Sequence, residues 1–441
     1  MELVEIHTGS GQSKTPDGLS ATNRKMTARS SLPIKSASSP GKHIRATSSN
    51  PGRCIRRTSA VHQRKDLMKI TGFETIPIQQ RALLLKMHTD EGITGYGEPM
   101  DYTHWRIVAQ AVEDMAEYLI GKDPLQIEDH WQTFFRSTYS RSMPSILGAL
   151  SGIDMAMWDV MGKKLGVPVW KLLGGSVRDR VRVYTHVGGS SLEALAENAR
   201  KAVAQGFSAM KMSIVDKPVR FIDTPGAVQK MVARVAAVRE AVGDKVDIAV
   251  DLHRRFSPTM AIQVIKELEP LKLLFAEEPC HPENDQALQN ITRSTTTPIA
   301  TGERHLARWG FWEIIEKQAC AVLQPDIRHV GGISELRKIS NLAEVRDLAI
   351  APHNASGELG VVASIHTMAT IPNFLICEGG ASRGEGLFKN PLQFKDGFIE
   401  LPTEPGLGVE FKDGILDELR DESFRFRGMW RSEEDGSFAD F

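Results

Sequence analysis

Asp251, Glu277 and Glu303 each end a short apolar run, in Val-Asp-Leu-His (250–253), Phe-Ala-Glu-Glu-Pro (275–279) and Ala-Thr-Gly-Glu-Arg (300–304). The intervals are equal: 277 − 251 and 303 − 277 are both 26. Taken singly, each acid reads as a surface residue after a strand; the repeated interval favours one shared site. On neighbouring parallel strands these acids converge within a few ångströms, and three like charges that close require a cation. Oxygen donors alone select a hard divalent ion, Mg2+ first and Mn2+ as its substitute. The same all-carboxylate set disfavours a zinc hydrolase.

A cation on a substrate carboxylate stabilises the enediolate left when the α-proton is removed, and a base must then stand beside the α-carbon. His353 and Asp326 end two adjacent strand-like runs, so the acid can fix the tautomer of the ring and raise its basicity. His253 follows Asp251 by two residues, and period-2 alternation puts both side chains on one face. If protonated, it donates to a leaving hydroxyl on the β-carbon; the alternative is a hydrogen-bond partner that orients the ligands. Lys211 adds positive charge near a substrate carboxylate, or pairs with Glu278 or another strand-end acid. Glu378 hydrogen-bonds a developing oxyanion if protonated, or orients a neighbour.

The elements that position these residues begin at 183. Apolar runs at 183–187, 209–213, 246–253, 273–279, 298–303, 321–326, 349–354 and 374–379 alternate with helical patterns such as 192–205, 226–242 and 259–269. Sustained strand-helix alternation predicts a closed parallel barrel over 183–390, with chemistry at the C-terminal strand ends. Residues 68–182 have another texture. Two antiparallel strands at 69–78 and 82–88, a hairpin turn at Asp90-Glu91-Gly92, and helices at 106–121, 124–139 and 144–165 predict an α+β capping domain. Its loops carry Gln79, Gln80, Tyr102, His104 and Trp105, a mix suited to covering a small polar ligand. The tail, 391–441, is expected to pack back on that domain, leaving the barrel from Gly397.

Residues 1–67 are rich in Ser, Thr, Arg and Lys and hold no lasting hydrophobic period, which predicts disorder. An upstream extension is favoured over an organelle transit peptide, and Met68 is a natural start for the folded part. A net charge of −1 gives no reason to expect nucleic acid or an acidic membrane as partner. No apolar run approaches the roughly 18 residues of a membrane-spanning helix. Cys54, Cys280, Cys320 and Cys377 are scattered without a C-x-x-C pair, which suits a reducing, cytoplasmic compartment. A homo-oligomer is expected.

From Met68 almost to Phe441 the chain resembles the enolase superfamily, mandelate racemase/muconate lactonizing group, most closely its D-galactonate dehydratase-like sugar-acid dehydratases. Asp251-Leu-His253, Glu277-Glu278-Pro279, Gly302-Glu303-Arg304, Gln324-Pro325-Asp326, Gly331-Gly332, Ala351-Pro352-His353, Glu378 and the tail 405–409 carry the resemblance. It implies a (β/α)7β modified TIM barrel with an N-terminal α+β capping domain. It implies Mg2+ on Asp251, Glu277 and Glu303, with the His353–Asp326 dyad removing the C2 proton. His253 then helps the C3 hydroxyl leave, and Glu378 helps hold the enediolate. The substrate is a small sugar acid and the product a 2-keto-3-deoxy acid. Two features depart from the group. Lys211-Met212-Ser213 stands where racemases carry Lys-x-Lys, which removes the second base. Asn354-Ala355-Ser356-Gly357 replaces a Pro-containing loop of galactonate dehydratases, where substrate hydroxyls are read. The rivals are an epimerase of the same superfamily and a non-catalytic sugar-acid-binding homologue.

Overall fold

The computed structural model describes residues 67–78, 82–100, 104–215, 220–354, 357–380, 383–423, 430–431 and 435–439. The extension assigned to 1–67 lies, Leu67 apart, outside the described residues, as do Gln79, Gln80 and Tyr102. Alternating apolar residues form β1 (Ile70–Ile78) and β2 (Ala82–Thr89), antiparallel with Ile76 opposite Leu84. The turn at 90–92 follows β2 and leads into β3 (Thr94–Gly97), which pairs with β2. Sequence reading does not name β3, since two of its four residues are glycine and show no period. α1 (Trp105–Leu119), α2 (Ile127–Ser137) and α3 (Pro144–Leu165) pack on this sheet around Leu85, Val112, Trp131 and Leu150. A short α4 (Val169–Leu172) follows.

The alternating region runs as β4 (Arg180–His186), α5 (Leu192–Ala204), β5 (Ala209–Ser213), α6 (Pro225–Val242), β6 (Asp247–Asp251), α7 (Pro258–Leu268), β7 (Phe275–Glu277) and α8 (Asp285–Arg293). It continues as β8 (Ile299–Thr301), α9 (Ala307–Lys317), β9 (Val322–Leu323), α10 (Gly332–Glu344), β10 (Ala349–Ile350), α11 (Glu358–Met368) and β11 (Cys377–Glu378). Local chemistry sets where helices start: Ser191, Thr224, Ser257 and Asn284 each accept a backbone N–H at the N-termini of α5 to α8.

β4 to β10 pair in parallel, each with the next. The ring closes on its far side, where Phe374 bridges Ile350 and, three residues on, Cys377 pairs with Val183 of β4. This is the (β/α)7β barrel. Its interior is an apolar layer with a residue from each strand or its immediate extension: Tyr184, Ala209, Ala249, Phe275, Ala300, Val322, Ala351 and Ile376. Small side chains leave room for the two rings, Tyr184 and Phe275, which meet edge-on. From β6 to β11 the hydrogen-bonded strands are shorter than the apolar runs, and residues just beyond them, such as His253 and His353, enter the site.

α3 is buried along most of its length, between the β1–β3 sheet and α10. Two of its polar side chains reach the barrel: Asp154 accepts from the Ser334 hydroxyl (2.5 Å) and backbone N–H (3.1 Å), and the Trp158 indole donates to the Ser334 oxygen (2.9 Å). The tail departs from expectation at its start. β12 (Phe394–Lys395) and β13 (Phe398–Glu400) form a hairpin, and β13 pairs antiparallel with Arg180–Arg182, extending the barrel before the chain leaves it. Beyond, Leu407 donates to Asp159 on α3, and Arg420 pairs with Glu74 on β1.

Candidate active site

Strand parity selects the side chains at one mouth of the barrel. Two residues beyond the interior layer stand His186, Lys211, Asp251, Glu277, Gln324, His353 and Glu378, and four beyond it stand Ser213 and Asp326. On β8 the corresponding position is Gly302, at φ 141, where a Cβ would lie 2.9 Å from the Gln324 nitrogen and from the Phe311 ring. No side chain fits there, and the next residue, Glu303, supplies the acid. The cleft is lined by Lys211, Asp251, His253, Glu303, His353 and Glu378, with His186, Ser213 and Arg234. Glu277 is buried beside it and Asp326 stands behind His353, so all eight expected residues meet in one place.

His353 and Asp326 meet. His353 Nδ1 lies 2.9 Å from Asp326 Oδ2, and His353 Nε2 faces Glu303 Oε2 at 3.2 Å. Burial would depress the ring, but Glu378, Glu303 and Asp326 outweigh it and carry His353 to about 9. Burial would likewise raise Asp326; the Arg328 guanidinium and the bond from His353 hold it well below the usual carboxylate range.

Three expectations are corrected or narrowed. Lys211 does not meet Glu278; its Nζ lies 2.6 Å from Glu277 Oε1 and 3.1 Å from Glu378 Oε1. Glu278, at φ 46, instead accepts from the Thr301 hydroxyl and Gly302 N–H. Glu378 sits among donors in this arrangement. Burial raises its carboxyl, yet Lys211, His353 and His186 together hold it well below the usual range, so it stays an acceptor. It takes the Asn354 N–H at 2.6 Å and faces His186 Nε2 at 2.8 Å. His253 reaches Asp251 (Nε2–Oδ2 3.0 Å), but not by strand alternation. β6 stops at Asp251, His253 has φ 50, and its backbone N–H donates to Asp251 Oδ1 at 2.7 Å. Burial, reinforced by Arg255, pushes that ring down to about 3, so it is neutral here.

Among the described residues no three His, Cys, Asp or Glu side chains are drawn into one coordination shell. Each presumed ligand has a protein partner instead: Glu277 has Lys211 and Gln324, Asp251 has His253, and Glu303 has Arg254. The donor set nevertheless fits a dication. Burial, joined by the neighbouring acids and opposed by Lys211, raises Glu277 to about 8 and Asp251 to about 6. Glu303 alone is low, at about 2, because His353 and Arg254 outweigh its burial. The cluster therefore lacks positive charge where its carboxylates crowd, and hard oxygen donors accept it as Mg2+ or Mn2+.

His186 and Arg234 were not singled out from the sequence. His186 ends the first barrel strand as the other site residues end theirs, so the same parity would have found it. Arg234 lies midway along α6, and no local pattern marks its approach to the cleft.

Residues 58–174 match the mandelate racemase / muconate lactonizing enzyme N-terminal domain family, and residues 194–415 match the family described as enolase C-terminal domain-like. The chain is 39% identical over 384 residues to a D-galactonate dehydratase of Ralstonia pickettii (strain 12J), covering 85% of this chain and 100% of the relative. Identity to the D-galactonate dehydratase of Verminephrobacter eiseniae (strain EF01-2) is 40% with the same coverage. A solved mandelate racemase/muconate lactonizing enzyme-like protein from Rubrobacter xylanophilus DSM 9941 superposes with a TM-score of 0.77 at 35% identity, over 82% of this chain and 100% of that one. Enzymes of the enolase superfamily work with a Lys or His base and one or two Mg2+ ions. With both halves matched, relatives aligned along their whole length and a strand-end His–Asp dyad beside three acids, the chain belongs to the mandelate racemase/muconate lactonizing enzyme group of the enolase superfamily.

Proposed function

We propose that this chain is a Mg2+-dependent dehydratase of a five- or six-carbon aldonic acid, with D-galactonate the first candidate. The observation that carries the reading is the 2.9 Å His353–Asp326 pair sharing one cleft with His253 and the strand-end acids. Full-length similarity to D-galactonate dehydratases supports it.

Asp251, Glu277 and Glu303 would hold the metal, with Lys211 keeping Glu277 and Glu378 oriented. Bound Mg2+ supplies positive charge to the substrate carboxylate, which acidifies the C2 proton. Glu378, Glu303 and Asp326 hold His353 protonated in the arrangement described above, so the ring must first release its Nε2 proton; Nε2 then takes the C2 proton, and the C–H electron pair moves into the carboxylate as an enediolate. As the enediolate collapses, C2 and C3 form a double bond, the C3–O bond breaks, and hydroxide leaves as water with a proton from His253. The resulting enol tautomerises to the 2-keto-3-deoxy acid. His253 is neutral in the arrangement described above, so the negative charge of the aldonate must draw a proton onto it. Ser213 in place of a second lysine leaves no base opposite His353, which disfavours racemisation. We assign the first domain, with His104 and Trp105, to covering the sugar.

Three of the four cysteines, Cys280, Cys320 and Cys377, are buried free thiols, and no helix of the described residues is long and apolar enough to cross a membrane. The free thiols support our placement of the enzyme in the cytoplasm. The test is a panel of aldonates offered with Mg2+ and assayed for 2-keto-3-deoxy products. Turnover that EDTA abolishes and Mg2+ restores is expected. Deuterium at C2 without loss of water would mark an epimerase, and binding without turnover of any acid a non-catalytic homologue.

A further inference from the structure

Behind the dyad a buried chain of charges runs into the first domain. The Arg328 guanidinium holds both oxygens of Asp326, with Nε 3.1 Å from Oδ1 and Nη2 2.7 Å from Oδ2. Its Nη1 donates to Glu98 Oε1 at 3.1 Å. Glu98 directly follows β3, 230 residues away, and its Oε2 accepts the Gly360 N–H of α11 at 2.9 Å. Arg328, Asp326 and Glu98 are all fully buried. Space for the chain is provided by the backbone. Gly357 sits at φ 117, and a Cβ on it would fall 1.7 Å from Glu98 Oε1 and 2.8 Å from Arg328 Nη1.

A side-on guanidinium fork fixes a carboxylate in plane and direction, which a single hydrogen bond does not. Asp326 Oδ2 serves both Arg328 and His353, so the angle of that carboxylate sets where the imidazole points. Arg328 is in turn held from its far side by a carboxylate belonging to another domain. A pair needed only to join the domains could sit anywhere along α3 and α10, where Asp154 and Ser334 already do so. This one ends on the base.

We propose that Glu98 and Arg328 are positioning residues through which the first domain sets the orientation of the Asp326–His353 dyad. The inference rests on the role given to that dyad above. Neither residue touches substrate, and the product is unchanged by them.

The test combines kinetics with a signal that needs no turnover. Glu98→Gln keeps the shape of the side chain and removes its charge; Arg328→Lys keeps charge and removes the fork. With Mg2+ and the best aldonate, each is expected to lower kcat by about tenfold or more, with KM changed by less than about twofold. In an Asp326→Asn background the further loss from Glu98→Gln should shrink to less than about twofold, because its route to the ring is already cut. Equal losses in both backgrounds, as expected of a purely structural pair, would overturn the proposal. Independently, 15N-labelled histidine spectra, with His353 assigned by its absence in His353→Asn, should show the His353 ring signals displaced in Glu98→Gln. Unchanged signals would also overturn it. If the wild type dehydrates no acid offered, the dehydratase reading fails on its own, and the ring signals still decide whether Glu98 governs His353.

Discussion

His353 Nε2 and Glu303 Oε2 stand 3.2 Å apart, so the nitrogen assigned to take a proton touches a carboxylate assigned to hold a cation. This contact joins the two halves of the proposed chemistry. His353→Asn is expected to abolish exchange of the C2 proton, followed by NMR in D2O. His253→Asn should slow water loss by roughly 10²-fold or more, within the range for a lost general acid, while exchange stays measurable. Complete loss of exchange in both would remove the distinction between the two histidines.

Lys211 is the cation between Glu277 and Glu378, both buried. Burial disfavours its charge, yet Glu277 and Glu378 hold its pKa well above the usual lysine range. Removing one partner of such a group typically costs about 3–5 kcal/mol, so Lys211→Met should lower the melting temperature sharply. Saturating Mg2+ should recover part of the loss, since an ion that binds only the folded state stabilises it. A variant as stable as the wild type without metal would contradict the electrostatic account of this cluster.

Gly302 lets the chain after β8 present Glu303 rather than a strand-end side chain. Gly302→Ala forces a Cβ to within 2.9 Å of the Gln324 backbone nitrogen at a left-handed φ. The expected result is a weaker half-saturation by Mg2+, by about tenfold or more, in line with displacing groups around a metal site. Titrating activity against Mg2+ measures it; an unchanged midpoint would remove Glu303 from the ligand set or show that the backbone absorbs the methyl.

Asp154 gives a pH prediction away from the cleft. Burial raises its folded carboxyl to about 7, against 3.8 for an ordinary aspartate, although Ser334 donates to it. Between those values the folded state binds the extra proton, so its share of stability is largest at low pH and falls as pH rises toward 7. Asp154→Asn cannot titrate. The unfolding free energy of the wild type should therefore fall relative to that of the variant from pH 5 to pH 8, read by denaturant melts at each pH. A wild type that gains stability relative to the variant as pH rises would reverse the assigned direction.

Much of the site was legible in the sequence because it is written in a local code. A strand of period 2 points alternate residues inward, so once the runs near 251, 277, 326, 353 and 378 are read as barrel strands, their terminal polar residues must gather at one mouth. α3 begins and ends as expected at Pro144 and Leu165, where proline and glycine bracket a largely apolar stretch. The regular interval separating Asp251, Glu277 and Glu303 is likewise a local signal repeated, with a helix fitted into each gap.

Tertiary structure decided the rest, wherever several partners competed or a residue left its strand. Lys211 had several acids within reach, and only packing placed Glu277 and Glu378 at its ammonium while Glu278 turned toward Thr301. His253 owes its position to a left-handed turn beyond β6, which no alternation predicts. Glu98 arrives beside Arg328 from 230 residues away, through a gap that Gly357 leaves open. Periodicity reports which face a side chain occupies; it carries no information on which distant charge will meet it there, since that depends on the docking of two domains and on the cost of leaving any buried charge alone.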